Sequence, residues 1–159
     1  AQERALRAAV AAEPDGYAGL LALGALLGVT GRVEESAELL RRACAAQPGS
    51  RRARVWLADA LRNLGHPAAA TDLLDEVLRD APDDVEALTL QAYAFGDRRR
   101  FDDAEARLAR ALEIDPSRRG TLLAAARVAA VHRADFGQGL RWQRAALLES
   151  PAPPGLRTE

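Results

Sequence analysis

Residues 48–82 read PGSRRARVWLADALRNLGHPAAATDLLDEVLRDAP, two apolar-periodic stretches parted by Gly65 and His66 and bracketed by Pro48 and Pro82. The brackets stand 34 residues apart, and the step extends both ways: Pro14 lies 34 before Pro48, and Pro116 lies 34 after Pro82. With Pro at about 5% of ordinary sequence, three further hits at one spacing arise about once in 10,000 starting prolines, so the chain reads as a repeat. Counting each repeat from the third residue after its proline gives units 17–50, 51–84, 85–118 and 119–152.

Several columns keep this step. Position 8 reads Gly24, Ala58, Ala92 and Ala126. Position 20 reads Ser36, Ala70, Ala104 and, with one residue inserted in the last unit near Arg133–Ala134, Gly139. Position 27 reads Ala43, Val77, Ala111 and, with the same allowance, Ala146. Short side chains in register allow two helices to approach to about 8–10 Å. Larger apolar residues fill the positions between: Leu40, Leu74 and Leu108 at 24; Leu27, Leu61 and Phe95 at 11; Cys44, Leu78, Leu112 and Leu147 at 28; Val33, Pro67, Phe101 and Phe136 at 17. These fall at steps of three and four, the spacing of one helix face, and no stretch alternates as a strand would.

The spacing predicts helices near 2–13, 17–29, 34–46, 51–64, 68–80, 85–97, 102–114, 119–132 and 137–149. Each proline disfavours the α conformation in the residue before it and closes the second helix of its unit. Asp15, Ser50, Asp84 and Ser117 follow the prolines and are expected to cap the next helix by accepting backbone N–H bonds. Gly31 and Gly65 sit at position 15, where the chain reverses and a left-handed residue is useful; Arg99 in that slot predicts a different turn in the third unit.

Small residues at 8, 20 and 27, Gly at 15, an aromatic near 17 and Pro at 32 together resemble the tetratricopeptide repeat family over residues 17 to about 151. The resemblance implies an all-α, right-handed solenoid of antiparallel helix pairs with about nine helices. Residues 1–159 then form a single repeat domain: 1–16 the second helix of a truncated repeat, four repeats, and a tail at 153–159. The aromatic usual at position 4 is missing, the column reading Leu20, Arg54, Leu88 and Leu122, with Trp56 nearby to fill the space. The fourth unit departs most, with Ala125 and Ala129 where larger residues usually pack.

Composition narrows the function. The net charge of −1 offers no bulk attraction for nucleic acid or an anionic membrane. Every basic residue is Arg, a pattern that reads as GC-rich coding, and the lone Cys44 excludes an internal disulfide. No stretch approaches the ~20 apolar residues of a membrane span. Without Met at position 1, and with half a repeat first, the chain reads as a cut piece of a longer protein, which leaves cytoplasm and periplasm both open.

No catalytic, cofactor or metal constellation is expected. His66 and His132 lie two repeats apart beside turns and read as surface residues; Cys44 sits in a packing column. The carboxylate pairs Asp83/Asp84 and Asp102/Asp103 suit helix N-termini. The run Arg98–Arg99–Arg100 has Asp97, Asp102 and Asp103 around it, which suits local neutralisation better than a nucleic-acid patch.

The remaining candidate is a surface. In the family the first helix of each repeat lines a concave groove through positions 2, 5, 9, 12 and 13. Carried over, these give Leu21, Ala25, Arg52, Val55, Asp59, Arg62, Asn63, Glu86, Thr89, Tyr93, Leu123 and Arg127. The Lys/Asn/Arg clamp with which some members grip a terminal carboxylate is absent from positions 5 and 9. The mixed strip suits an amphipathic helix or extended segment of a protein partner. An ordinary solvated face, with the partner elsewhere, is the alternative. So is an accessory or self-association domain of a larger enzyme or secretion machine. The last helix, with Leu140, Trp142, Leu147 and Leu148 around more than one side, is the expected route of self-association.

Overall fold

The structure, a computed structural model, describes residues 1–132 and 136–147, and only the backbone of 132 and 136–138. Among these residues the elements are helices alone: α1 (Gln2–Ala12), α2 (Tyr17–Val29), α3 (Val33–Ala46), α4 (Arg51–Asn63), α5 (Pro67–Asp80), α6 (Val85–Asp97), α7 (Phe101–Ile114), α8 (Arg119–His132) and α9 (Phe136–Leu147). Their bounds fall within two residues of those expected, save the end of the last helix, whose expected position near 149 lies outside the described residues. The inserted residue near Arg133–Ala134, the Phe136 side chain, Leu148 and the prolines beyond it lie outside the described residues.

The proline logic holds at each junction. The position-27 carbonyls of Ala43, Val77 and Ala111, and that of Ala9, accept from the N–H of the residue just before the proline. That residue has left the helical region: Glu13 has φ −129° and ψ 84°, Gln47 −139° and 85°, Asp115 −136° and 91°. The helix is stopped where proline would clash with it.

Two of the expected caps are corrected. Ser50 Oγ accepts from Ala53 N at 3.2 Å and Asp84 Oδ1 from Ala87 N at 2.9 Å. Asp15 and Ser117 sit one residue too early. Gly16 holds the cap position of α2 with no side-chain bond. Before α8, Arg118 stands there, while Ser117 donates its N–H and hydroxyl to Asp115 Oδ1, both at 3.1 Å.

The turn at Arg99 is also corrected. Gly31 and Gly65 take φ +83° and +82°, and Arg99 takes φ 60° in the same slot. Arg99 N bonds Gly96 O at 3.0 Å and Arg100 N bonds Phe95 O at 2.9 Å, repeating the bonds of Gly31 and Arg32 to Gly28 and Leu27. The closing hydrogen bonds impose the left-handed residue, and Arg accepts the strain.

The chain forms two compact units, 1–73 and 74–159. In the first, α2 pairs with α3 and α4 lies against both. Leu20, Leu21, Ala37, Leu40, Ala43, Ala53, Leu57 and Ala60 make its core, with Tyr17 and Trp56 half-buried beside them. Gly24 makes the α2–α3 approach possible: Ser36 Oγ donates to its carbonyl at 2.7 Å, and a Cβ on Gly24 would meet Leu40 Cγ at 2.9 Å. Tyr17 Oη lies 2.7 Å from Ser50 Oγ, linking the start of α2 to the cap of α4.

In the second unit α6 pairs with α7 and α8 with α9, and α8 lies against α6 and α7. Phe95, Leu108, Leu112, Leu122, Val128 and Trp142 fill its core. Ala125 and Ala129, short where bulk is usual, are buried in that same core, where Trp142 contributes bulk. The sequence reading that left Trp142 available on the outside is thereby corrected: it is buried, and Leu140 and Leu147 carry the exposed apolar surface of α9.

Candidate functional site

The helix-A strip is described separately in each unit. In the first, Leu21 and Val55 are buried, Ala25, Asp59 and Arg62 are half-buried, and Arg52 and Asn63 are exposed. Asp59 holds Arg62 Nη2 at 3.1 Å, and the same nitrogen donates to Asn63 Oδ1 at 2.7 Å. Arg52 lies over the Trp56 ring, 5.8 Å from its centroid. Trp56 thus carries a strip arginine, a role the sequence reading did not give it.

In the second unit Thr89 is buried, Tyr93 half-buried, and Glu86, Leu123 and Arg127 exposed. Thr89 Oγ1 donates to Val85 O and lies 2.7 Å from Thr121 Oγ1. Arg127 lies 5.3 Å from the centroid of Tyr93 and donates to Asp97 Oδ1 at 2.5 Å. Asp97 therefore serves Arg127, while Arg100 in the basic run pairs with Asp103 at 2.7 Å and covers Phe95 at 4.7 Å. Glu86 faces Arg118 at 3.9 Å. Leu21, Val55 and Thr89 thus act in packing, and the exposed and half-buried members form the chemical surface.

The other singled-out residues have packing or ion-pair surroundings. Burial pushes the Cys44 thiol up, opposed by the nearby Arg54 charge, so thiolate is disfavoured. Asp83 holds Arg110 at 2.6 Å. His66 is exposed, and the His132 side chain lies outside the description. Among the described residues no group of His, Cys, Asp and Glu is placed to hold a metal, and no helix is long and apolar enough to cross a membrane.

A second surface escaped the sequence reading. Between α8 and α9 lies a cavity of about 410 Å³ lined by Leu123, Ala126, Arg127, Ala130, Gly139, Leu140 and Gln143. The available signal was a broken column: Gln143 occupies position 24 of the last repeat, where Leu40, Leu74 and Leu108 are buried.

Two family models, each described as tetratricopeptide repeat, match residues 30–92 and 3–51. Curated protein sequences give no match. Solved structures share the fold. PilW, described as a type IV pilus biogenesis factor, superposes with a TM-score of 0.79 at 19% identity, over 90% of this chain and 67% of its own. MamA from Desulfovibrio magneticus RS-1 gives 0.73 at 16% identity, over 92% and 82%. YrrB, described as a TPR protein with an unusual peptide-binding site, gives 0.66 at 19% identity, over 92% and 77%.

Proposed function

The chain belongs to the tetratricopeptide repeat family, and on that premise we propose that it is a non-catalytic module whose repeats, as one domain, bind a peptide or protein segment along the helix-A strip. The observation that carries this is how the strip is built. Arg52, Arg62, Tyr93 and Arg127 stand on helices whose opposite faces are fixed in close-packed cores. The three guanidinium heads are oriented in advance by Trp56, Asp59 and Asp97. Side chains ordered before binding lose less entropy when a partner arrives. Charges of both signs beside a half-buried Tyr suit an amphipathic segment better than a uniformly charged polymer. The peptide-binding site attributed to YrrB gives the reading a precedent in the same fold.

A phage-displayed peptide library selected against the whole chain tests it. Enriched peptides are expected to bind saturably, and Tyr93→Ala or Arg52→Glu should weaken them about fivefold or more, the effect of losing one anchoring side chain. Arg110→Ala, outside the strip, should leave them unchanged. Enrichment that ignores both strip variants, or no enrichment at all, would overturn the assignment.

A further inference from the structure

Two helix pairs in this chain already show what their open side receives. In the first unit α4 lies on the α2–α3 pair and brings Ala53, Leu57 and Ala60 into the core beside Leu21. In the second, α8 lies on α6–α7, with Thr121, Ala125 and Val128 at the same repeat positions and Thr121 bonded to Thr89. The incoming pattern is small or short, then apolar, then short, at i, i+4 and i+7, one face of a helix. The position-5 residue of each receiving pair is covered: Leu21 is 9% exposed and Thr89 6%.

The α8–α9 pair repeats this receiving surface with nothing described upon it. Its position-5 residue, Leu123, is 37% exposed, and Leu140 across the cavity is 65% exposed. Ala126, Ala130 and Gly139 keep the floor low, and Gly139 alone leaves room for the close approach, since a Cβ there would meet Ala126 O at 3.1 Å. The helices themselves are basic: within their bounds α8 and α9 carry Arg119, Arg127, Arg141 and Arg144 and no carboxylate, the nearest in sequence being Asp135 between them and Glu149 after them. Arg127 keeps its own bond to Asp97.

We propose that the α8–α9 surface is a docking groove for one acidic amphipathic helix of another protein, seated as α4 sits on α2–α3. Its short and apolar residues fill the cavity between Leu123 and Leu140, and its carboxylates flank Arg127 and Arg144. Gln143 supplies an amide to the seam in place of leucine. The groove shares Leu123 and Arg127 with the helix-A strip, but α9 defines it.

The test uses the whole chain and a dye-labelled peptide of residues 51–63 in which Arg51, Arg52, Arg54 and Arg62 are each replaced by Glu. That peptide keeps the Ala53/Leu57/Ala60 face and reverses the flanking charge. Fluorescence anisotropy should show saturable binding, weakened by salt. The unaltered peptide and a scramble of the acidic one should bind at least about tenfold more weakly, a difference of about 1.4 kcal/mol. Leu140→Gln and Arg144→Glu, both at exposed positions, should each weaken binding about fivefold with an unchanged circular-dichroism melt. Equal binding of the scramble, or indifference to both variants, would overturn the proposal. Sedimentation showing self-association that Leu140→Gln abolishes would overturn it too, by assigning the groove to a second copy. Arg52→Glu, which reports on the strip alone, should leave this titration intact, so failure of the strip reading is separable.

Discussion

Gly24 in α2 and Gly96 in α6 are both helical glycines, yet the same added methyl meets opposite surroundings. At Gly24 it would lie 2.9 Å from Leu40 Cγ, a branch atom fixed in the core; at Gly96 nothing stands within 4 Å. Alanine gains about 1 kcal/mol of helix propensity over glycine, and overpacking costs about 1–3 kcal/mol. Gly24→Ala is therefore expected to destabilise by about 1 kcal/mol, and Gly96→Ala to stabilise by roughly 0.5–1 kcal/mol; paired urea melts read the opposite signs. The small-residue column at position 8 marked Gly24 and passed over Gly96, so this difference was legible in the sequence. Gln91 was not. It is fully buried at a position held by Leu23 and Leu57 elsewhere, its Nε2 donates to Asp75 Oδ1 at 2.6 Å, and its Oε1 has no partner. Gln91→Leu removes that orphaned acceptor together with the bond to Asp75, whose exposed carboxylate returns to water, so the two effects offset and the same melts should shift by no more than about 1 kcal/mol. Nothing in the 34-residue step announces which core position admits an amide.

At the scale of the element, helix ends were legible to within two residues because proline and packing columns both act locally, whereas cap chemistry depends on one exact position. Ser50 and Asp84 occupy it and Ser117 does not. Ser50→Ala and Asp84→Ala should each cost about 1 kcal/mol, and Ser117→Ala no more than about 0.5 kcal/mol, by thermal melting. The Arg99 turn shows the complementary limit: residue preference yields when two backbone bonds close the same loop. Helix α1 depends on surface charge more than the others, having no buried residue of its own. Glu3 accepts from Arg7 at 2.9 Å and Arg32 at 2.5 Å; Glu35 accepts from Arg32 at 2.7 Å and Arg7 at 3.0 Å. These bonds hold both carboxyls below their ordinary range, for Glu3 through Arg7 first and for Glu35 through Arg32 first. A lowered folded pKa stabilises above the ordinary carboxylate range, and the contribution fades as pH falls through that range and below it. Exchange protection of the α1 amides, corrected for intrinsic rate, should therefore drop in acid while that of α4 holds. Equal loss in both helices would show that the ion cluster does not anchor α1.

For the whole molecule, the repeat step foretold an all-helical chain and its family, but not which residues of each first helix stay accessible. Leu21, Val55 and Thr89 belong to the strip by position and are buried, while Leu123 in the same column is exposed. Exposure there is a property of neighbours, which a column cannot record. Trp142 shows the same limit on α9. Because it is buried with Phe95, Leu122 and Val128, Trp142→Glu places a charge in that core and should unfold the second unit at temperatures where Leu140→Gln melts normally, as followed by circular dichroism. The two tryptophans also divide between the units, Trp56 half-buried beneath an arginine and Trp142 sealed at 3% exposure. Each unit consequently carries its own optical label. Trp142 should emit toward the blue and resist acrylamide, and Trp56 should emit toward the red and be quenched. A single unlabelled sample then reports in two spectral channels which unit a bound partner touches.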